Sequence, residues 1–297
     1  MIWTAILIDG VVYAAWLFIV ALGLTLVFGV MKILNVAHGA FYAIGAYAAA
    51  SLIGVWFAGD RPLVGGYVLL VVASLAVGLV MGTLLERGVL RLVYGRDEVV
   101  AALATYAVFL ILEDFILLVW GTDPYFAGEP ATALGADDWF GLAVSNYDLL
   151  LVAVAAVVGL LLWLGLNRTR TGKLLLAVIH DREMSAAFGI DVTLMFTMTF
   201  VLGAFLGALG GALTAPKISV APGIGVEVIV LAFAVVVIGG MGSIPGAVVG
   251  ALIVGLARAA AVLLLPSVEL FVVYAVMTLV LAFRPYGLFA RAQARRI

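Results

Sequence analysis

Nine apolar stretches, most of them long enough to cross a bilayer, follow one another along this chain of 297 residues. They run Val11–Val30, Phe41–Phe57, Tyr67–Leu85, Val99–Val119, Leu149–Leu166, Met195–Ala215, Glu227–Ile238, Ala247–Leu265 and Val268–Phe283. A bilayer core demands about 20 consecutive apolar residues of helix, with every backbone hydrogen bond closed inside the segment. With 66% of residues apolar and 11% charged, the chain is expected to be an all-α polytopic membrane protein of about 8–9 transmembrane helices. Residues 1–297 are expected to form a single transmembrane domain, since no linker or soluble-length segment interrupts the pattern. Continuous runs argue against a β-barrel, whose strands alternate over short segments. The first stretch follows no basic residue and is about twice as long as a signal-peptide core, so it is expected to remain a span. Cysteine is absent, which removes disulfides and thiolate metal ligation.

The charges sort by side. Lys32, then Arg87, Arg91 and Arg96, then Arg168, Arg170, Lys173 and Arg182, and finally Arg284, Arg291, Arg295 and Arg296 fall on one face of the membrane. The other face keeps only Arg61 and Lys217. The positive-inside rule makes the crowded face cytoplasmic, with the N-terminus outside and the C-terminus inside. The longest outer loop, Gly121–Asp148, carries five acidic residues and no basic one. Glu227–Ile238 is too short to cross alone, and whether it completes a crossing or re-enters as a half-helix stays open at this point.

Between two apolar runs the chain reads Gly239-Gly240-Met241-Gly242-Ser243-Ile244-Pro245-Gly246. Glycine tolerates positive φ and proline lacks a donor, so regular helix is excluded there. Discontinuous spans are where many transporters bind or pass a solute, which makes Gly239, Gly240, Gly242, Ser243, Pro245 and Gly246 gating candidates. The alternative is a glycine-rich cytoplasmic hairpin between two ordinary spans. Arg258 lies within an apolar run, and a guanidinium there needs a partner or a polar cavity. Glu113 and Asp114 sit late in the fourth span, placed to line an outer mouth. Gly203, Gly207 and Gly211 recur every fourth position, a pattern that permits close helix approach; Gly246 and Gly250 repeat it.

The cytoplasmic segment Asn167–Asp191 mixes charge with apolar residues at helical spacing. Leu175, Val178 and Ile179 share one face, Met184, Ala187 and Phe188 form a second stripe, and Gly189 stands where a helix would end. Two amphipathic turns suit docking of a soluble partner; resting in the lipid headgroups is the alternative. Gly172-Lys173 has no glycine five residues earlier and no Ser/Thr after it, so the phosphate-cradling loop is absent and ATP would be hydrolysed elsewhere. His38 and His180 lie in separate segments and neither has a second histidine at i+3 or i+4, so no metal site is expected. No cofactor is expected either.

These residues resemble a known family. Asn35-Val-Ala-His38-Gly39 followed by Gly45-Ala-Tyr47 is similar to a signature of the permease subunits of branched-chain amino acid ABC importers, the first of the two paralogous permeases. Asp181-Arg182-Glu183-Met184-Ser-Ala-Ala-Phe188-Gly189-Ile-Asp191, the Gly239–Gly246 cluster and Phe283-Arg-Pro-Tyr-Gly-Leu-Phe289 agree in the same order. The resemblance implies an importer of two permeases, two cytoplasmic ATP-binding subunits and a periplasmic or extracellular solute-binding protein. It also implies a fold similar to the cobalamin and ribose importer permeases, with Asp181–Asp191 as the ATPase-coupling element in a bacterial cytoplasmic membrane. Arg258 departs from the family pattern, which has a carboxylate there.

The expected function is thus ATP-driven import of amino acids, branched-chain ones first; urea and short-amide importers resemble the family equally well. ATPase closure would pull on 167–191 and switch the broken helices between outward- and inward-open states. Asn35, His38 and Gly39 are expected at a structured cytoplasmic entry to the second span, with His38 bonded to backbone or, alternatively, in contact with solute. A stand-alone channel or ion-coupled carrier would need no partner loop, and an intramembrane enzyme would need a nucleophile and base that the sequence does not supply. Expected partners are membrane lipid and protein, with no nucleic acid.

Overall fold

A computed structural model describes residues 1–59, 61–139 and 141–289, apart from the side chain of Leu270. Arg291, Arg295 and Arg296, counted above among the cytoplasmic charges, lie outside the described residues. The helices are α1 (Ile2–Met31), α2 (His38–Phe57), α3 (Leu63–Leu85), α4 (Glu98–Trp120) and the short α5 (Glu129–Thr132). After a two-stranded hairpin come α6 (Asn146–Arg168), α7 (Arg170–His180), α8 (Arg182–Ala187), α9 (Val192–Thr214), α10 (Ile224–Gly239), α11 (Ile244–Leu264) and α12 (Glu269–Phe283). Among the described residues seven helices are long and apolar enough to cross a membrane. Ile224–Gly239 and Phe271–Phe283 are shorter apolar helices.

The helices differ in what surrounds them. In α1, 78% of the most apolar window is buried within the protein, against 28% for α4 and 17% for α6. α1 packs on α11, α9 and α6, while α9 also packs on α2 and α3. The outer helices turn side chains such as Ile111, Leu118 and Leu161 outward, where lipid tails are as apolar as the core.

Small residues set the close approaches. A Cβ on Gly45 of α2 would stand 2.3 Å from the Ala208 carbonyl of α9, and one on Gly211 would stand 2.0 Å from the Tyr42 carbonyl. The Gly203, Gly207, Gly211 ladder therefore serves three neighbours: Gly23 and Val27 of α1, the His38 ring, and Tyr42 of α2. Hydroxyls lock the same region: Tyr42 and Thr214 share a 2.6 Å hydrogen bond, and the Tyr147 hydroxyl donates to the Leu213 carbonyl at 2.7 Å.

Strands Ala136–Trp139 and Leu142–Ser145 pair antiparallel in the outer loop, Ala136 opposite Ser145. The hydropathy pattern gives only a polar connection there. Gly141, at φ +80°, is the turn signal that marks it.

Candidate functional site

Two non-helical segments enter the bundle from opposite ends. α1 stops at Lys32, which takes the left-handed conformation at φ +58° and donates its N–H to Phe28. The chain then turns back. Nε2 of His38, the first residue of α2, lies 2.9 Å from the Val20 carbonyl. Val20 is eleven residues short of the α1 end, about 16 Å along the helix axis at 1.5 Å per residue. The sequence pattern puts Asn35, His38 and Gly39 at a cytoplasmic entry; the structure carries them inside instead, because Gly23 and Gly207 leave a notch that the His38 ring fills. Nε2 faces a carbonyl and so carries the proton. Nδ1 of His38 and the whole side-chain amide of Asn35 are buried and find no partner among the described residues.

Backbone freed from helix must be satisfied by protein when no water is at hand. Thr105 of α4 does this for the inner segment: its hydroxyl accepts from Val36 N–H at 3.1 Å and lies 3.1 Å from the Leu34 carbonyl. The outer segment, 218–223, is held by a two-way bridge between Val220 and Tyr125. α10 then starts at Ile224, and Gly225 approaches so near to Gly39 that a Cβ there would stand 2.9 Å from the Gly39 carbonyl. Glu113 turns inward to the same point while Asp114 stays exposed. Its Oε1 would lie 2.6 Å from a Cβ on Gly225, at a helix N-terminus, which favours negative charge.

Outward of this junction lies a cavity of about 640 Å³ between α1, α6, α10, α11 and the 218–223 segment. Its wall holds Asp9, Asp148, Glu227, Lys217 and Arg258 with the rings of Tyr13, Trp16 and Tyr42. Arg258 lies six residues before the outer end of α11. It pairs with Glu269 of the same chain, and its guanidinium carbon stands 4.3 Å from the Tyr13 ring centre. Lys217 pairs with Asp148. Polar groups converging on a concavity of roughly 300–1,000 Å³ are the usual form of a small-molecule site.

The glycine cluster is the tight turn of the α10–α11 hairpin rather than a break within one span. Gly240 and Gly242 take φ +101° and +81°, Pro245 occupies the first turn of α11, and the Ser243 hydroxyl caps it by accepting from Gly246 N–H at 3.1 Å. Gly239 and Gly246 touch backbone to backbone, a Cβ on either meeting the other's carbonyl at 2.2 Å. The chain after α12 closes over this turn: Leu288 and Phe289 donate their N–H groups to the Ile238 and Gly239 carbonyls at 2.9 and 3.0 Å. These are orphan acceptors of the α10 C-terminus.

Between α7 and α9, Asp181 caps α8, its carboxylate accepting from Met184 N–H at 2.9 Å. Gly189 follows α8 at φ +82°. Met184 and Phe188 project outward, Phe188 with 80% of its surface exposed; Arg182 and Glu183 are exposed beside them. Behind lies a buried carboxylate that hydropathy does not flag. Glu86, with no exposed surface, accepts from Arg91 Nε at 3.1 Å, the Tyr94 hydroxyl at 2.9 Å and the Thr197 hydroxyl at 2.9 Å. Burial and the Glu86 carboxylate push the Tyr94 phenol well above its usual pKa, so it remains a donor.

Residues 6–281 match the family model described as branched-chain amino acid transport system / permease component. The chain belongs to this family. It is 29% identical to the high-affinity branched-chain amino acid transport system permease protein BraD of Pseudomonas aeruginosa, over 98% of this chain and 97% of that one. It is 28% identical to the corresponding LivH of Escherichia coli K12, over 97% and 96%. The ribose import permease protein RbsC of the same organism is 28% identical over 80% of this chain and 71% of its own. The permease is accordingly a multi-pass integral membrane protein, and its relatives bear the names of transport permeases, not enzymes.

In this permease the candidate residues occupy four places. Asn35, His38 and Gly39 stand at the buried start of α2; Gly239–Gly246 forms the α10–α11 hairpin turn; Asp181–Gly189 forms an exposed segment between α7 and α9. Arg258 alone faces the outer cavity. Thr105, Glu86 and Glu227 were not candidates, because a threonine at helical spacing and single carboxylates near span ends look ordinary until their neighbours are known.

Proposed function

We propose that this chain is the transmembrane permease subunit of an ATP-driven importer for amino acids, branched-chain ones first, in a bacterial cytoplasmic membrane. The match of residues 6–281 to the permease family carries the reading. The geometry supports it with an outer cavity, two re-entering segments and an exposed apolar pair on the cytoplasmic face. The chain acts as one permease domain. It pairs with a second permease, two separate ATP-hydrolysing subunits dock on Asp181–Gly189, and a solute-binding protein delivers to the outer cavity. The ATPases pull on α7 and α8 when they close, and the α2–α10 junction at Gly39 and Gly225 changes access from the outer to the inner side.

Reconstitution with candidate ATPase, second permease and binding protein tests this. Leucine uptake should require ATP and the binding protein. Uptake by the permease alone, down a gradient and without ATP, would establish a channel or carrier instead.

A further inference from the structure

Resting on that reading, a second concavity supplies a partner for the moving α7. Among the spanning helices α6 packs closely on α1 alone, and between it and the wall made by α3 and α9 runs a groove of about 1010 Å³. Leu150 and Leu166 both line it, so it follows α6 for about 24 Å at 1.5 Å per residue, most of the roughly 30 Å hydrocarbon core. Leucines dominate its wall, with Leu161 of α6 and Leu202 of α9 exposed. Four of the five polar side chains in that wall, Tyr67, Asn146, Thr169 and Thr199, already donate to carbonyls of the chain. A polar solute would find almost nothing to bind there. The α7 end differs. Thr169, Thr171 and Gly172 line the groove at that end, and Arg168, Arg170 and Lys173 alternate with them in the chain. All three basic residues are exposed and have no ion-pair partner among the described residues. No Asp or Glu occurs between Asp148 and Asp181 to offset them. An apolar channel of bilayer depth with a basic end suits a molecule with long hydrocarbon chains and an anionic head. We infer that the groove holds an anionic phospholipid of the surrounding bilayer, its acyl chains between α6 and the α3–α9 wall and its phosphate among Arg168, Arg170 and Lys173. Gly172 packs so tightly on Gly165 that a Cβ there would stand 2.1 Å from the Gly165 carbonyl. α7 therefore shifts together with the end of α6, the lipid fills the joint in which they move, and import depends on anionic lipid.

Native mass spectrometry of the purified chain, titrated with phosphatidylglycerol or phosphatidylcholine of identical acyl chains, tests the binding. Phosphatidylglycerol should be retained at several-fold lower concentration. Arg170→Gln combined with Lys173→Gln, both exposed positions, should abolish that preference. Leu202→Trp and Leu161→Trp, which fill the groove from opposite walls, should each lower retention of both lipids, and glycerol 3-phosphate, a headgroup without chains, should displace neither. Equal retention of the two lipids, a preference that survives the double glutamine variant, retention unchanged in both tryptophan variants, or displacement by glycerol 3-phosphate would overturn the inference. A shift from dimer to monomer in the tryptophan variants, with bound lipid unchanged, would overturn it in favour of a protein interface. In the reconstituted transporter, ATP-dependent leucine uptake should rise several-fold when phosphatidylglycerol replaces part of the phosphatidylcholine, and Leu202→Trp should cancel the rise; uptake indifferent to the lipid would overturn the dependence. Failure of the permease reading appears separately, as absence of ATP-dependent uptake in every lipid, and leaves the binding result standing.

Discussion

The guanidinium of Arg182 sits 4.9 Å from the centre of the Phe196 ring, and Tyr94 meets that ring edge-on, centroids 5.3 Å apart. Tyr94 in turn donates to Glu86, so an exposed residue of the cytoplasmic segment touches a row of side chains that ends in the buried core of α3 and α9. Arg182→Met keeps the length of the side chain and removes the charge, at a cost of about 0.5–1 kcal/mol for an exposed cation–π contact. Assembly with the ATPases should survive while solute moved per ATP falls. An unchanged ratio would show that the contact transmits nothing.

Thr197→Val preserves shape and removes a hydroxyl that donates to the Glu86 carboxylate. A hydrogen bond to a charged group is worth about 1.5–3 kcal/mol, so the thermal midpoint of the purified permease should drop by several degrees. Thr197→Ser should recover most of it. A wild-type midpoint in Thr197→Val would mean that the remaining donors suffice.

Phe188 makes so little contact with its own chain that Phe188→Asp should not alter folding yield. Buried in a docking contact, the new carboxylate costs several kcal/mol. Co-purification of the ATPase subunits should therefore be lost; recovery at wild-type yield would place their dock elsewhere.

Thr105→Val leaves the Val36 N–H without its acceptor. A buried unsatisfied donor costs about 1–3 kcal/mol, and Thr105→Ser, which keeps the hydroxyl, should be close to wild type. Equal stability of the Val and Ser variants would show that the 32–37 segment is held by other contacts.

Gly287 lies at φ +82°, and a Cβ there would stand 2.5 Å from the Gly240 Cα. Gly287→Ala should lift the 287–289 segment from the α10–α11 turn, combining a left-handed penalty of about 1–2 kcal/mol with the clash. Faster hydrogen exchange at the Leu288 and Phe289 amides measures the loss; unchanged exchange would show that the segment tolerates the methyl group.

The sequence by itself determined the membrane class and the approximate spans, because hydropathy is summed over whole segments and does not depend on which helices meet. It also marked the hairpin turn at Gly240–Gly242, since positive φ is a local demand that glycine answers locally. Only the tertiary structure decided where helices begin inside the bundle. α2 starts at His38 because Gly23 and Gly207, from two other helices, make room for its ring, and α10 starts at Ile224 because Tyr125 holds Val220. The same holds for the charges: that Arg258 finds Glu269, and Lys217 finds Asp148, depends on how α6, α11 and α12 are placed around one cavity. No local pattern carries such pairings, since the partners stand up to 69 residues apart and meet only through packing.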